Sequence, residues 1–290
     1  MFRSTILLSL LVFSSPSQAT ADIKVTKGIA YSQDGANRNQ TSLDVYAPET
    51  GKDLPVMIWI HGGAWRIGDK SRLEEKPKVF NDKGFVFVSI NYRLDPMVDY
   101  KGQGTDVAKA IRYVHDHAPE FHGAPDQIFL MGHSAGAHLA ALVATNERYL
   151  EAEKLKLSAI KGVILLDGAA YDIPHQIELA ALPKMKEMYR SVFTNNLEKQ
   201  KDASPINHVS KDKGIPPFLI LYVASRRDGK IQSEALGARL KDAGIGAQVS
   251  PAENKTHATI NREFGLAEDI PTKQAFEFLA GKIRSAKAPR

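Results

Sequence analysis

Two stretches of this 290-residue chain carry residue types that could do chemistry together: Gly132-His133-Ser134-Ala135-Gly136 and His61-Gly62-Gly63-Ala64-Trp65. The first has the form G-x-S-x-G. An apolar run, Gln127-Ile128-Phe129-Leu130-Met131, precedes it, and a helix-forming run, Ala137-His138-Leu139-Ala140-Ala141-Leu142, follows. That context predicts Ser134 on a sharp strand-to-helix turn with its hydroxyl raised above a sheet. The flanking glycines are expected to let the turn adopt strained dihedrals. The second stretch is a glycine-rich loop after the strand-like Val56-Met57-Ile58-Trp59-Ile60. Its amides could donate to a developing oxyanion. One motif supplies a nucleophile and the other stabilises the charge that nucleophile creates, which is the chemistry of acyl transfer.

A serine hydroxyl is a poor nucleophile until a base takes its proton, and that base is oriented in turn by a carboxylate. With this kind of turn the chain order is serine, acid, histidine. Of nine histidines, His138, His175, His208 and His257 follow Ser134. His138 falls one turn into the same helix and reads as packing, and neither His175 nor His208 follows a core strand. His257, in the polar loop Glu253-Asn254-Lys255-Thr256-His257-Ala258 after the last predicted strand, is the expected base. Asp228, in Ala224-Ser225-Arg226-Arg227-Asp228-Gly229 after the strand Phe218–Val223, is the expected acid. Asp202 and Asp212 lie upstream among charged neighbours. Asp167 also ends a strand and is a weaker rival, read as local turn or loop support. The expected oxyanion donors are the backbone amides of Ala135, Gly63 and Ala64, and Trp65 is expected to line the substrate pocket or pack. Asn91-Tyr92-Arg93 reads as bracing for the oxyanion loop.

These residues need a scaffold, and the pattern supplies one. Strands are predicted at Ile29–Tyr31, Ser42–Tyr46, Val56–Ile60, Phe85–Ile90, Ile128–Met131, Val163–Leu166, Phe218–Val223 and Ala247–Pro251, with a turn over Gln33–Gln40 between the first two. The later runs are continuously apolar, as in a parallel sheet covered on both faces. Helices are predicted at Lys70–Lys83, interrupted by Pro77, and at Thr105–Asp116, Ser134–Thr145, Ile231–Asp242 and Gln274–Ser285. The alternation implies one α/β domain with a doubly wound, mostly parallel sheet. Residues 168–217 exceed what a strand-to-helix connection needs. A helical stretch is predicted there over roughly Ile177–Phe193, either packed on the sheet or forming a small lid over Ser134.

Composition bounds the function. The chain is 43% hydrophobic, as an ordinary globular protein is, and lacks cysteine, which excludes disulfides, thiolate metal sites and cysteine nucleophiles. Its net charge of +5 is spread among acids rather than gathered in a stripe, so no nucleic-acid partner is expected. No metal and no cofactor are expected. His115 and His117, with His122 nearby, lack carboxylates at metal spacing, and no phosphate-binding glycine motif is present. Residues 1–21 read as a signal peptide: Arg3, an apolar core over Ile6–Phe13, and Ala19-Thr20-Ala21 as the cleavage site, leaving a mature domain over 22–290. The expectation is export, with no integral membrane segment after cleavage.

On His61–Trp65, Asn91-Tyr92-Arg93-Leu94 and Gly132–Gly136, nearly the whole mature chain resembles the serine esterases of the α/β-hydrolase superfamily, and among them the hormone-sensitive-lipase-like enzymes. The run Gly-His-Ser-Ala-Gly-Ala-His-Leu at residues 132 to 139 is closer to the arylformamidase-like and feruloyl-esterase-like branch. The resemblance implies an α/β-hydrolase fold and cofactor-free hydrolysis of a small-molecule ester through an acyl-serine intermediate. Ala64 departs from the usual third glycine, a position where arylformamidases also vary. The departure weakens any carry-over of activity on tertiary-alcohol esters. Export points toward plant, polymer or lipid-derived esters rather than the cytosolic substrate of an arylformamidase. Formamide or peptide hydrolysis on the same triad, and a non-catalytic binding role, stand as alternatives.

Overall fold

The computed structural model describes residues 22–34 and 37–287. The expected signal peptide and the tip of the expected Gln33–Gln40 turn lie outside the described residues. Eight strands form one sheet: β1 (Ile23–Ala30), β2 (Ser42–Pro48), β3 (Leu54–Ile60), β4 (Val86–Ile90), β5 (Gly123–His133), β6 (Ile160–Leu166), β7 (Phe218–Val223) and β8 (Ala247–Ala252). Their spatial order is β1-β2-β4-β3-β5-β6-β7-β8. β2 runs antiparallel to both β1 and β4, and every pairing from β4 through β8 is parallel. Among the described residues the helices are α1 (Lys76–Asp82), α2 (Tyr100–His117), α3 (Ala135–Thr145), α4 (Arg148–Ala152), α5 (Ile173–Leu179), α6 (Pro183–Phe193), α7 (Leu197–Asp202), α8 (Arg227–Asp242), α9 (Thr259–Arg262) and α10 (Ile270–Lys287). This is the α/β-hydrolase fold.

The apolar parallel strands are dictated by burial on two sides. Along β3, Val56, Ile58 and Ile60 enter one core with Val107 and Ile111 of α2, Leu139 and Val143 of α3, and Leu236 of α8. Met57 and Trp59 point the other way, into a second core with Phe80 of α1 and Phe278 and Leu279 of α10. Side-chain alternation along a strand requires both layers to be apolar, so the sequence reads as an unbroken hydrophobic run. Every residue of α3 is buried, which rigidly fixes the helix that begins just after Ser134.

Several elements differ from expectation for identifiable reasons. β1 begins six residues before the expected Ile29, because its first half is a mostly exposed edge where only Ile23 and Val25 alternate with Lys24 and Thr26, a short signal cut off by Lys27-Gly28. Pro77 does not interrupt a long helix. It opens α1, where the missing N–H costs nothing. The single helix expected over Ile177–Phe193 is two, since Pro183 holds Leu182 extended (φ −104°, ψ 135°) and starts α6 afresh. α8 starts at Arg227, four residues earlier than expected, so Asp228 lies in its first turn rather than in a loop.

Candidate active site

Ser134 sits at the junction of β5 and α3 with φ 56° and ψ −119°. The strain therefore rests on the serine itself. Gly132 and Gly136 serve a different purpose from the one expected: a Cβ on Gly132 would lie 2.3 Å from the carbonyl oxygen of Gly136, and one on Gly136 would lie 2.1 Å from that of Ile60. Only glycine lets strand and helix meet so closely. The amide of Ser134 donates to the carbonyl of Leu166, the last residue of β6, at 3.1 Å. The turn is thus tied to the strand beside it, and a residue held in such a conformation is over-determined by its surroundings.

His257, in the β8–α9 connection, approaches Ser134 with its Nε2 3.0 Å from Oγ. Its Nδ1 lies 2.6 Å from Oδ2 of Asp167. A charged carboxylate oxygen at that distance requires Nδ1 to carry the proton, which leaves Nε2 free to accept from the serine hydroxyl. Asp167 follows β6 directly, has φ 44°, and is fully buried. Its other oxygen accepts from the amide of Val223 at 2.9 Å. Burial opposes its charge, but the bonds from His257 and Val223 and the nearby Arg226 guanidinium outweigh it and hold the carboxyl below the usual carboxylate range.

The expected acid, Asp228, does not meet His257. Its Oδ2 accepts instead from Arg226 Nη2 at 2.9 Å and Gln176 Nε2 at 3.0 Å. The reason is the early start of α8. A carboxylate in the first turn of a helix is favourably placed against the helix dipole, but here it faces α5 rather than the end of the sheet. Asp167 comes from the strand adjacent to the one bearing Ser134, and Asp228 from one strand further out. Both follow apolar strands, so the sequence offered no discriminating signal beyond the apolar run that Asp167 terminates.

The loop after β3 places Ala64 (φ 50°) and Trp65 (φ 63°) in left-handed conformations. Among the described residues, the amides of Gly63, Ala64 and Ala135 donate to no protein acceptor. Ala64 and Ala135 line the cavity over Ser134, whereas Gly63 turns tightly back on Ile67, whose carbonyl oxygen lies 1.9 Å from where a Cβ would stand. The loop is braced as expected. The Tyr92 hydroxyl donates to the His61 carbonyl at 2.9 Å, its ring stacks on His61, and the Asn91 side chain accepts from the Lys70 amide. Arg93 makes a two-pronged bond with buried Asp106 at 2.8 and 2.6 Å. Trp65 both lines the cavity and packs. Its Nε1–H donates to His138 Nδ1 at 3.1 Å, which fixes the tautomer of His138 so that Nε2–H donates to the Ala203 carbonyl at 2.8 Å. Burial lowers His138 to about 4, keeping it neutral and able to accept from Trp65.

Ser134, His257, Asp167 and Arg226 open onto a cavity of about 340 Å³ whose remaining wall is Ala64, Trp65, Ala135, Ala169, Met185, Met188 and Tyr189. The wall from α6 comes from the 168–217 segment. Among the described residues, no group of three or more His, Asp or Glu side chains could hold a metal ion. His115 and His117 bond instead to Asp116 and Glu120. No described helix is long and apolar enough to cross a membrane. Three residues around the site carry no signal in the sequence: Arg226, His133, whose ring lies 4.6 Å from His257 and whose Nε2 bonds the His257 carbonyl at 2.8 Å, and Gln176.

The chain is similar to known esterases. The BD-FAE family profile matches residues 43–237. Esterase LipQ of Mycobacterium tuberculosis is 32% identical over 262 residues, covering 84% of this chain and 59% of that protein. Isoprenylcysteine alpha-carbonyl methylesterase ICME of Arabidopsis thaliana is 28% identical, covering 82% of this chain and 57% of that protein. The chain thus spans less than two thirds of the length of the curated relatives it matches. Among solved structures, a truncated carbohydrate esterase from gut microbiota superposes with a TM-score of 0.74 at 22% identity, covering 93% of this chain and 99% of that one. Esterase B from Lactobacillus rhamnosis superposes with a TM-score of 0.71 at 22% identity, covering 93% of this chain and 90% of that one.

Proposed function

The chain belongs to the BD-FAE family of α/β-hydrolase-fold proteins, and we propose that it hydrolyses carboxylic esters of small molecules through an acyl-serine intermediate. The observation that carries this reading is the continuous path from Ser134 Oγ through His257 to Asp167, opening on an apolar-walled cavity. In the proposed cycle His257 Nε2 takes the hydroxyl proton as Oγ attacks the acyl carbonyl. Asp167 holds the Nδ1–H tautomer and stabilises the imidazolium. The amides of Ala64 and Ala135, with Gly63 beside them, meet the oxyanion, and each donor of this type is worth roughly 3 kcal/mol at the transition state. The imidazolium then protonates the departing alcohol, a water deprotonated by His257 attacks the acyl-serine, and the acid leaves with Ser134 restored.

Met185, Met188 and Tyr189 of α6 would receive the apolar part of the ester, so the 168–217 segment acts in this reading as a small lid. The exchange uses only side chains, amides and water. Turnover of short p-nitrophenyl esters by the wild type, abolished in Ser134→Ala, is the expected result. An N-formyl amide substrate assayed in parallel tests the amide reading, and turnover of that substrate alone would overturn ester hydrolysis. We further propose that the protein is exported, on the basis of the Arg3, Ile6–Phe13 and Ala19-Thr20-Ala21 pattern. Expression of the full chain should give a secreted or periplasmic product whose first residue is Asp22. An uncleaved cytosolic product beginning at Met1 would contradict export.

A further inference from the structure

Arg226 occupies a position that the hydrolytic cycle does not explain. It precedes α8 as its N-cap, and its guanidinium is wedged among three groups. Nη1 lies 2.5 Å from Asp167 Oδ2 and 2.9 Å from His257 Nδ1, while Nη2 lies 2.9 Å from Asp228 Oδ2. The contact with His257 is not a hydrogen bond. Nδ1 already carries the proton it gives Asp167, so two donors face each other across 2.9 Å. A cation is held there only because the carboxylates on either side outweigh the repulsion. They also hold the guanidinium firmly charged, despite the burial that works against it. Asp228, the residue that did not reach His257, anchors this arrangement from behind and is itself held by Gln176 of α5, which also bonds the Tyr189 hydroxyl.

We propose that Arg226 is a positioning residue for the hydrolysis described above: by sharing Asp167 with His257 and facing the imidazole with its own charge, it disfavours the imidazolium in the resting enzyme and extends the pH range over which His257 can act as a base. A buried aspartate bonded to a histidine by itself favours the second proton on the ring. Arg226 offsets that attraction without disturbing the hydrogen bond that orients the ring. The other groups around His257 do not supply this balance. From β5, His133 contributes a neutral ring, since burial and then repulsion by His257 depress it to about 3. Lys76 of α1 acts on His133. Tyr171 and Tyr189 face Asp167 and Arg226 as neutral phenols, burial raising the Tyr189 hydroxyl to about 12 and that of Tyr171 further.

The inference rests on the proposed esterase cycle, and its test separates the two. The kcat/KM of p-nitrophenyl butyrate is measured between about pH 5 and 9 for the wild type, Arg226→Met and Arg226→Lys, and the ring signals of His257 are titrated by NMR in the same three proteins. In Arg226→Met the midpoint of the acid limb and the ring titration should both move up by about one pH unit, a shift that removes a unit charge from contact distance but is discounted because His257 is 44% exposed. Rates well below the midpoint then fall about tenfold further than the alkaline plateau does. Arg226→Lys keeps the charge and should stay close to the wild-type midpoint. A uniform loss at every pH with both midpoints unmoved would make Arg226 merely structural and overturn the inference. An equal shift in both variants would overturn it as well. If the wild type fails to turn over the ester, the esterase reading falls, and the NMR titration still decides the role of Arg226.

Discussion

Replacing each of the two candidate aspartates by asparagine separates the geometry described here from the assignment that the sequence suggests. Asp167 is fully buried, and the single oxygen Oδ2 receives both His257 Nδ1 at 2.6 Å and Arg226 Nη1 at 2.5 Å. Asp167→Asn keeps the shape but removes the charge. In the proposed cycle the imidazolium then loses its counter-charge, Arg226 faces it unopposed, and the amide no longer enforces the Nδ1–H tautomer. For a buried triad aspartate such a change lowers kcat by about 10³- to 10⁴-fold, equivalent to roughly 4–5.5 kcal/mol of barrier. Among the described residues, the Asp228 carboxylate hydrogen-bonds to Arg226 and Gln176, and its ion pair with Arg226 is partly exposed, at 19% and 22%. Pairs of that kind contribute about 0.2–1 kcal/mol, so Asp228→Asn should cost no more than about fivefold. The assay is kcat for p-nitrophenyl butyrate on the alkaline plateau, with thermal unfolding to confirm that both variants fold. A collapse in Asp228→Asn beside a nearly wild-type Asp167→Asn would refute the geometry. Equal, small losses in both would show that neither carboxylate orients the base.

Three further outcomes follow from the packing around the site. Gly63→Ala places a Cβ against the Ile67 carbonyl at a φ of +129°, and should lower unfolding free energy by at least about 2 kcal/mol and cut turnover as the loop shifts, a prediction that native stability with full activity would defeat. Trp65→Phe removes the donor to His138 Nδ1 inside a buried cluster, and urea unfolding should report a loss of about 1–3 kcal/mol. Asp202 is held at about 2 because the two-pronged bond from Arg148 and the Tyr100 hydroxyl outweigh the opposing effect of burial. Its folded value is depressed, so its contribution is complete above the unfolded value and fades as pH falls toward 2. Asp202→Asn should therefore be less stable than wild type by about 1–2 kcal/mol at pH 7, with the gap closing between about pH 4 and 2. A gap that persists at pH 2 would contradict the linkage.

The legible parts of the sequence were those where one physical requirement acts alone. Ser134 was readable because strand, tight turn and helix each leave their own composition, and His257 because it follows the last core strand in a polar loop. Asp167 was harder to assign. It ends an apolar strand just as the residues before Asp228 do, and the choice between them depends on strand order and on where α8 begins, which are properties of the packed sheet. Arg226-Arg227-Asp228-Gly229 looks like a loop because charged residues and glycine crowd it, yet helix α8 begins at Arg227 and carries Asp228 into its first turn. The first half of β1 carries only a two-residue apolar alternation, Ile23 and Val25, because an edge strand faces water. Pro183 did carry the signal that divides α5 from α6, and the apolar spacing of Leu179, Leu182 and Met185 masked it. Arg226 could not have been foreseen, because its three partners come from just after β6, from the first turn of α8 and from the β8–α9 connection.

In the proposed cycle Ser134 is a nucleophile activated through His257 by Asp167. A fluorophosphonate that reacts irreversibly with activated serines tests it directly, with the adduct mapped by peptide mass spectrometry and the labelling rate compared across variants. The wild type should be modified at Ser134. Labelling should be lost in His257→Ala, slowed by about 10³-fold or more in Asp167→Asn, and nearly unchanged in Asp228→Asn. A folded wild type that resists the reagent, or an adduct on any other residue, would rule out Ser134 as the activated nucleophile.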